Sequence, residues 1–249
     1  VGSRRSDGDM VSIMQNYMAN KSFNRGKETF QAYASMAFVG NTKHSVPYML
    51  RNSHLFESIP DAYVKGAFLD RIHLYIPGWE VNILKESFFS EGFGFIVDYL
   101  AEVLRQLRKY DYSNLLDQYV ELDSSYTGRD KMAVRKTFSG LVKLLFPHQV
   151  MTDEEVIDLV NFAVEGRKRV KDQLYIIDET FRKDPVDFKY TYYATDKEFV
   201  VDTLEQVNYQ AAMESETSEA EEPDEAKPQT EDQGNTQEKT AQTQPKPKP

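Results

Sequence analysis

The sequence contains no cysteine, so it can form neither disulfide bonds nor thiolate metal sites, which fits a reducing compartment. It has no apolar stretch approaching the ~20 residues that a membrane-spanning helix needs, and no hydrophobic run opens the chain as a signal peptide would. Lys and Arg number 30 against 40 Asp and Glu, and the net charge of −10 argues against a uniformly basic surface for nucleic acid. These absences predict a cytoplasmic protein that makes no contact with a membrane.

Metal and catalytic clusters are also missing from the pattern. The four histidines show no metal-ligand spacing, so no metal site is predicted, and neither a catalytic triad nor a carboxylate pair can be placed.

From about Ala211 the chain has no aromatic and no branched apolar residue. Such a segment cannot bury enough surface to offset an ordering entropy of ~1–2 kcal/mol per residue, so a disordered C-terminal tail is predicted. The tail is either an acidic interaction segment or a solvated linker or remnant of a truncated protein, and its composition favours the second alternative.

The chain before Pro77 alternates short helical and apolar segments, which is typical of an α/β sheet. A helix is predicted from Asp9 to about Ala19, followed by a strand and turn over Lys21 to Gly26. The consecutive apolar residues from Met36 to Val39 favour a central parallel strand that is covered on both faces. A second buried strand is predicted from Gly66 to Pro77.

The chain after Pro77 has a helical pattern. A long amphipathic helix, a short helix, a third helix ended by Pro147 and a fourth opened by a Thr152–Glu155 capping box are predicted. The aromatic residues of the long helix are interpreted as core, and the basic run from Arg167 to Lys171 as a solvated helix face. The apolar stripe of the long amphipathic helix consists of Phe95, Ile96, Tyr99, Leu100, Val103, Leu104 and Leu107.

Three polar residues follow one another in an informative order. Asn41 ends the first apolar strand, Arg71 lies on the second, and Arg135 lies on the third helix at the edge of its apolar stripe. This order predicts the second half of an AAA+ ATPase module: a partial α/β sheet, then a four-helix lid. Asn41 would then be a sensor that positions the attacking water, Arg71 a finger that reaches a neighbouring nucleotide, and Arg135 a second sensor. The alternatives are a turn residue, an ion-paired arginine beside Asp70 or another acid, and an ordinary boundary arginine.

Seven short strings between Asp9 and Tyr190 make the resemblance more specific. They are Ile13-Met-Gln-Asn-Tyr-Met18, Phe38-Val-Gly-Asn41, Phe68-Leu-Asp-Arg-Ile-His73, Pro77-Gly-Trp-Glu80, Gly94-Phe-Ile-Val-Asp-Tyr-Leu-Ala101, Ala133-Val-Arg-Lys-Thr-Phe-Ser-Gly140 and Glu165-Gly-Arg-Lys-Arg-Val-Lys171. In this order they resemble the Lon-related AAA+ protein of BREX phage-defence systems. The resemblance implies an ATPase that forms homo-oligomeric rings in antiviral defence, works with other BREX components and associates with double-stranded DNA.

The sequence departs from that family in what it does not contain. It has neither a phosphate-binding Gly-Lys-Ser/Thr loop nor an apolar Walker B strand ending in Asp-Glu, and no Ser-Lys peptidase dyad can be placed. ATP and Mg are therefore expected only in the complete module, with no turnover and no cofactor for this chain alone. The chain is expected to be a truncated product or fragment. It divides into a partial large subdomain at 1–80, a helical lid at 81–190, and a linker with the acidic tail at 191–249.

Basic residues in the strand–turn segment suggest a DNA contact. In helicase-like rings this interval forms a hairpin that projects into the central pore, and Lys21, Arg25 and Lys27 could contact phosphates there. Scattered basic residues on an ordinary surface are the alternative. Two functions remain open: part of an ATP-driven motor, or a non-enzymatic module that docks on a full-length paralogue and regulates it.

Overall fold

The computed structural model describes residues 7–208 of the chain, so the predicted tail lies outside the described residues. The described part mixes helices with two small antiparallel sheets, which confirms a fold of both helices and strands. The helices are α1 (Asp7–Asn20), α2 (Val46–Asn52), α3 (Gly66–Leu69), α4 (Val97–Leu107), α5 (Gly128–Leu145) and α6 (Asp153–Ile177). The strands are β1 (Ser22–Arg25), β2 (Glu28–Gln31), β3 (Val120–Leu122), β4 (Lys189–Tyr192) and β5 (Lys197–Val200).

Helix α1 leads directly into a β-hairpin, as the sequence predicts for its first helix and strand. Strands β1 and β2 pair antiparallel with Phe23 opposite Phe30, and these rings stack with centroids 5.8 Å apart. The two-residue turn begins at Gly26, whose φ of +67° is costly for a residue with a Cβ. The hairpin carries its own hydrogen bonds and pairs with no other strand among residues 7–208.

The two predicted buried strands are wrong. Residues Met36 to Val39 form no strand, and Val39 is 98% exposed, because no described strand lies beside them to share backbone hydrogen bonds. The segment from Gly66 to Pro77 starts as helix α3 and then runs extended across α6, where the Tyr75 amide donates to Gly166 O at 3.0 Å. No parallel strand pair occurs in the described part of the chain.

The main core lies where α5 and α6 pack together and against the three-stranded sheet β3-β4-β5. Val120 pairs with Tyr192 and Leu122 with Tyr190, which turns both tyrosine rings towards α6. The Tyr190 hydroxyl donates to Asn161 Oδ1 at 2.8 Å, and the Tyr192 hydroxyl to an Asp153 carboxylate oxygen at 2.6 Å. Fully buried members of this core are Leu116, Val134, Phe138, Val142, Val156, Val160, Ala163 and Val164.

The third and fourth predicted helices are confirmed with their boundaries. Both start at a capping box, in which Thr127 exchanges hydrogen bonds with Asp130 and Thr152 with Glu155. The predicted short helix is present as a 3₁₀ helix over Ser113–Gln118. The predicted linker starting at residue 191 is wrong over its first part, because β5 completes the sheet and Thr203 is fully buried.

Helix α4 forms as predicted, but the interpretation of its aromatic stripe as core is wrong. None of its residues is buried, and the chain leading into it is equally open. Tyr99 is 60% exposed and Phe95, just before the helix, 75%. The stripe is exposed because almost nothing among the described residues packs over it. No described helix is long and apolar enough to cross a membrane.

Candidate functional site: three polar residues and a buried charged cluster

Asn41 lies in the extended segment after Val39, not at the end of a strand. Its backbone carbonyl accepts a hydrogen bond from the Ser58 hydroxyl, and its side chain is exposed. The Asn41 amide is therefore free to contact a ligand. The strand that was predicted to deliver it does not form in the described structure.

Arg71 follows directly after α3. Its Nη1 donates to the Ala67 carbonyl, whereas its Nε is buried and has no acceptor. No carboxylate of residues 7–208 lies within ion-pair distance of Arg71. The neighbouring Asp70 instead pairs with Arg129 at 2.6 Å and Arg167 at 2.7 Å. The alternative in which Arg71 is ion-paired with Asp70 or another acid is wrong for this part of the chain.

Arg135 lies on α5 and faces the 3₁₀ helix. Its Nε and Nη2 donate to one carboxylate oxygen of Asp117 at 3.1 and 2.9 Å. The two side chains are 37% and 43% exposed, so the pair sits at the surface and is screened by water. No hydrogen bond or ion pair of the described residues connects Asn41, Arg71 and Arg135 with one another.

The basic residues of the hairpin are exposed. Lys21 precedes β1, Arg25 ends β1 opposite Glu28, and Lys27 lies in the turn. Arg25 and Lys27 therefore lie at the turn end of the hairpin, and Lys21 lies at its base. Glu28 opposite Arg25 reduces the local positive charge.

The sequence interpretation of Arg167 to Lys171 as a solvated face is wrong. Arg167, Arg169 and Lys171 are 0%, 2% and 3% exposed. Unpaired charges at this depth would cost several kcal/mol each, so each needs a carboxylate partner. Their partners come from distant parts of the chain: Asp70, Asp130 and Glu205.

All three guanidinium nitrogens of Arg167 donate hydrogen bonds. Its Nε donates to Asp130 Oδ1 at 2.7 Å, and its Nη2 lies 2.7 and 2.6 Å from oxygens of Asp70 and Asp130. Its Nη1 donates to the backbone carbonyls of Asp70 and Ile72 at 3.1 and 2.6 Å. An arginine carries five N–H donors, and four of them make hydrogen bonds here, while the contact of Nη2 with Asp130 is an ion pair.

The cluster around Arg167 contains more cations than carboxylates. Lys171 lies 3.3 Å from Asp130 and 3.6 Å from Asp70, and Arg129 closes the outer side. Burial would raise the pKa of Asp130, but Arg167, the Thr127 hydroxyl and Lys171 together lower that pKa below its ordinary value. Asp130 is therefore ionised at neutral pH and also caps α5.

His73 lies beside this cluster. Burial, together with nearby Lys136 and Arg167, lowers the pKa of His73 to about 4. The imidazole is therefore neutral at pH 7, which is consistent with surroundings that already hold excess positive charge.

A second cluster centres on Arg169. Its guanidinium binds both carboxylate oxygens of Glu205 and lies 2.7 Å from Glu165 and 3.4 Å from Glu80. It fastens the last described segment and the Gly78–Glu80 turn onto α6. The helical period carries a signal for the first cluster, because Arg167 and Lys171 follow Ala163 and precede Leu174 on one buried face, whereas Arg169 lies on another face of α6.

These features define a mixed helix–sheet chain with separate exposed polar residues and a deeply buried charged cluster that contacts the backbone on both sides of Arg71. Comparison with known families identifies the class. The family described as "Lon-like protease BrxL-like, ATPase domain" matches residues 2–187, and the chain belongs to this family.

Two curated relatives are named "Lon-like protease BrxL". The protein of Bacillus cereus strain H3081.97 is 48% identical over 169 residues, which are 68% of this chain and 25% of that protein. The protein of Escherichia coli O9:H4 strain HS is 42% identical over 200 residues, which are 80% of this chain and 29% of that protein. The chain thus spans between a quarter and a third of the length of these relatives, and the resemblance to the Lon-like BREX proteins is confirmed.

Proposed function

We propose that this chain supplies the second half of an AAA+ ATPase module in an ATP-driven, DNA-associated ring. Asn41 would position the attacking water, Arg71 would act on the nucleotide of an adjacent subunit, and Arg135 would contact a nucleotide from the lid side. The helices from α4 to α6 would form the lid. Family membership and the state of Arg71 support this proposal.

The observation that carries the proposal is that Arg71 has no carboxylate partner among residues 7–208 while every other nearby arginine has one. A buried Nε–H without an acceptor is unfavourable by about 1–3 kcal/mol, so its persistence calls for an explanation. Because this Nε–H is enclosed by protein atoms, a phosphate from outside the described chain would meet the two Nη groups, of which only Nη1 has an acceptor among the described residues, the Ala67 carbonyl. A planar, permanently charged guanidinium is the group best suited to that role.

Arg135 fits a nucleotide contact in a different way. Its pair with Asp117 is half exposed, and such pairs contribute only about 0–1 kcal/mol. A phosphate group, with its higher charge, would compete successfully for the guanidinium. Asp117 then holds Arg135 near its working position when no nucleotide is present.

ATP and Mg would be held only in the complete module. The chain contains no Gly-Lys-Ser/Thr sequence, so its own residues do not make a cradle for the phosphates. Its contribution would be the cations and the amide that surround a nucleotide bound elsewhere. We therefore expect the 249-residue chain alone to show no ATP turnover.

The deciding experiment measures ATP turnover in mixed rings. The chain is combined with a full-length relative, and wild-type, Arg71→Ala and Arg71→Lys chains are compared at matched incorporation. We expect Arg71→Ala to lower turnover at the sites it completes by about 10³-fold or more, with little rescue by lysine. Arg105→Ala is the control, because Arg105 is exposed and bonds only to Glu102 on its own helix. Equal turnover from all chains would reject the finger role.

DNA association is tested on the hairpin. Changing both Arg25 and Lys27 to Glu should weaken binding to a double-stranded probe and make log K less dependent on log salt by about 1 for each lost phosphate contact. Exposed Arg182 and Lys183 provide a matched charge reversal elsewhere on the surface. Equal losses from the two pairs would assign binding to overall charge instead of the hairpin, where Lys21 also lies.

The alternative function is a non-enzymatic module that docks on full-length rings. The exposed apolar residues of α4 and of the segment before it favour it, because such a patch is typical of an interaction surface. In that case the chain enters rings, but Arg71→Ala leaves turnover unchanged. Replacing Leu100 with Glu would then abolish incorporation.

A further inference from the structure

Arg71 lies between two residues, Asp70 and Ile72, whose backbone carbonyls both accept hydrogen bonds from the guanidinium of Arg167. Arg167 Nη1 donates to Asp70 O on one side of Arg71 and to Ile72 O on the other. The same guanidinium binds the Asp70 side chain through Nη2. Three of the contacts of one buried side chain therefore fall on the three-residue segment with Arg71 at its centre.

The segment is also pressed closely onto α6. The Tyr75 amide donates to Gly166 O at 3.0 Å, and a Cβ added at Gly166 would lie 1.9 Å from Leu74 Cδ1. A side chain at position 166 would therefore displace the Leu74 side chain, which packs against α6 at this point. At the other end of α3, a Cβ on Gly66 would lie 2.2 Å from the Asp178 carboxylate. The backbone that bears Arg71 is thus held against α6 and the residues that follow it.

We infer that Arg167 is a positioning residue for Arg71. Its buried guanidinium fixes the backbone on both sides of Arg71 and so sets the direction in which the Arg71 side chain leaves the backbone. This inference rests on the proposed role of Arg71 in nucleotide chemistry. Arg167 itself is fully buried, so it is out of reach of a ligand at the surface. It acts through the backbone, and Asp130 holds it from the other side.

The role requires arginine and not merely a positive charge. Five donors in a planar fork reach two carboxylates and two carbonyls at once, whereas a lysine ammonium has three donors and no fork. Arg167→Lys therefore keeps a cation between Asp70 and Asp130 but loses donors that the carbonyls beside Arg71 use. This substitution separates charge balance from positioning.

The first test uses the absence of cysteine in the chain. A single Arg71→Cys substitution in the full chain takes a nitroxide label, whose electron paramagnetic resonance line shape reports local mobility at position 71. With Arg167 present we expect restricted motion, and with Arg167→Lys a clearly more mobile spectrum. Arg169→Lys is the matched control, because Arg169 is also buried on the same helix but binds Glu205 and Glu165, and its contact nearest to Arg71 is a long one of 3.5 Å with the Tyr75 carbonyl. Equal spectra for the two lysine variants would overturn the inference.

The second test measures ATP turnover in the mixed rings as a double-mutant cycle. We expect Arg167→Lys to lower kcat by about 10–100-fold with KM for ATP unchanged, since small misplacements of a reacting group have effects of this size. In the Arg71→Ala background the same change should have no further effect. An additional loss in that background would show that Arg167 acts independently of Arg71 and would overturn the inference. If Arg71→Ala alone has no effect, the proposed function fails, and the label alone decides whether Arg167 orders this segment.

Discussion

Helices α4 and α6 lie on either side of α5 in sequence and differ in which of their side chains are buried. Helix α4 has a regular apolar stripe, yet it buries none of its 11 residues. Helix α6 carries four cations in its last four turns and buries three of them, Arg167, Arg169 and Lys171. The difference shows that burial is decided by what packs against a helix. Apolar residues on α4 have almost no partner in the described chain, whereas each charge on α6 has a carboxylate from another segment.

The same contrast has a consequence for stability. Charges are costly to bury, so a helix that buries them depends on all of its partners at once. An exposed apolar face makes no such demand, and the folded part of the chain does not depend on it. Mutations should therefore act very differently at the two helices.

The largest effect is expected for Arg167→Met. Methionine has a similar length but leaves Asp70 and Asp130 facing each other with only Lys171 and Arg129 nearby. Removing one partner of a buried pair typically costs about 3–5 kcal/mol, and we expect a loss of this size in the free energy of unfolding in urea.

The control for this prediction is Arg135→Met, which removes a half-exposed pair. Its expected cost is below about 1 kcal/mol. A small loss at both positions would mean that the buried cluster contributes no more than a surface pair, and it would remove the contrast drawn between the helices.

The next effect compares two leucines. Leu116 is fully buried in the core below α5, and Leu84 is 76% exposed in the segment leading to α4. Leu116→Ala should cost about 2–5 kcal/mol in unfolding free energy, because the cavity adds to the lost transfer term, whereas Leu84→Ala should change it by less than about 0.5 kcal/mol. A large loss at Leu84 would show that its segment is packed in solution.

The elements that the sequence predicts well are those specified locally. The start of α6 follows from Thr152 and Glu155, three residues apart, and the position of Arg135 on α5 follows from the helical period. The strand from Met36 to Val39 is not local in this sense. Its formation depends on a neighbouring strand, and the apolar run alone cannot supply one.

The candidate site divides in the same way. The helical period predicts that Arg135 lies at the edge of the apolar stripe of α5, whereas it does not predict the partners of Arg167. Asp70 and Asp130 lie 97 and 37 residues from Arg167 in sequence. The presence of charges within a buried stripe was visible, but which carboxylates neutralise them depends on how distant segments pack, which periodicity does not encode.

A third prediction concerns acid. Because the pKa of His73 is lowered to about 4 in the folded chain and lies near 6.5 when unfolded, the unfolded state binds more protons between these values. The contribution of His73 is complete above about pH 6.5 and is lost as the pH falls towards 4, by at most about 3 kcal/mol. His73→Gln should flatten unfolding free energy against pH in this window, with the same change at exposed His148 as control. An unchanged slope in His73→Gln would place the acid sensitivity elsewhere.

The smallest effect concerns the first turn of each helix. The N-cap residue of α6 is Thr152, whose hydroxyl accepts a hydrogen bond from the Glu155 amide. The N-cap residue of α4 is Ile96, whose side chain makes no such bond. Thr152→Ala should therefore cost about 1 kcal/mol, while Ile96→Asp should leave the unfolding free energy within about 0.5 kcal/mol and raise the helix content of α4 slightly. Ile96 is 73% exposed, so its replacement removes no core contact. Hydrogen exchange of the amides in the first turn of each helix would measure both effects separately. If Ile96→Asp instead destabilised the whole chain, the apolar face of α4 would have to be covered in solution. The two helices would then no longer differ in whether other residues pack against them.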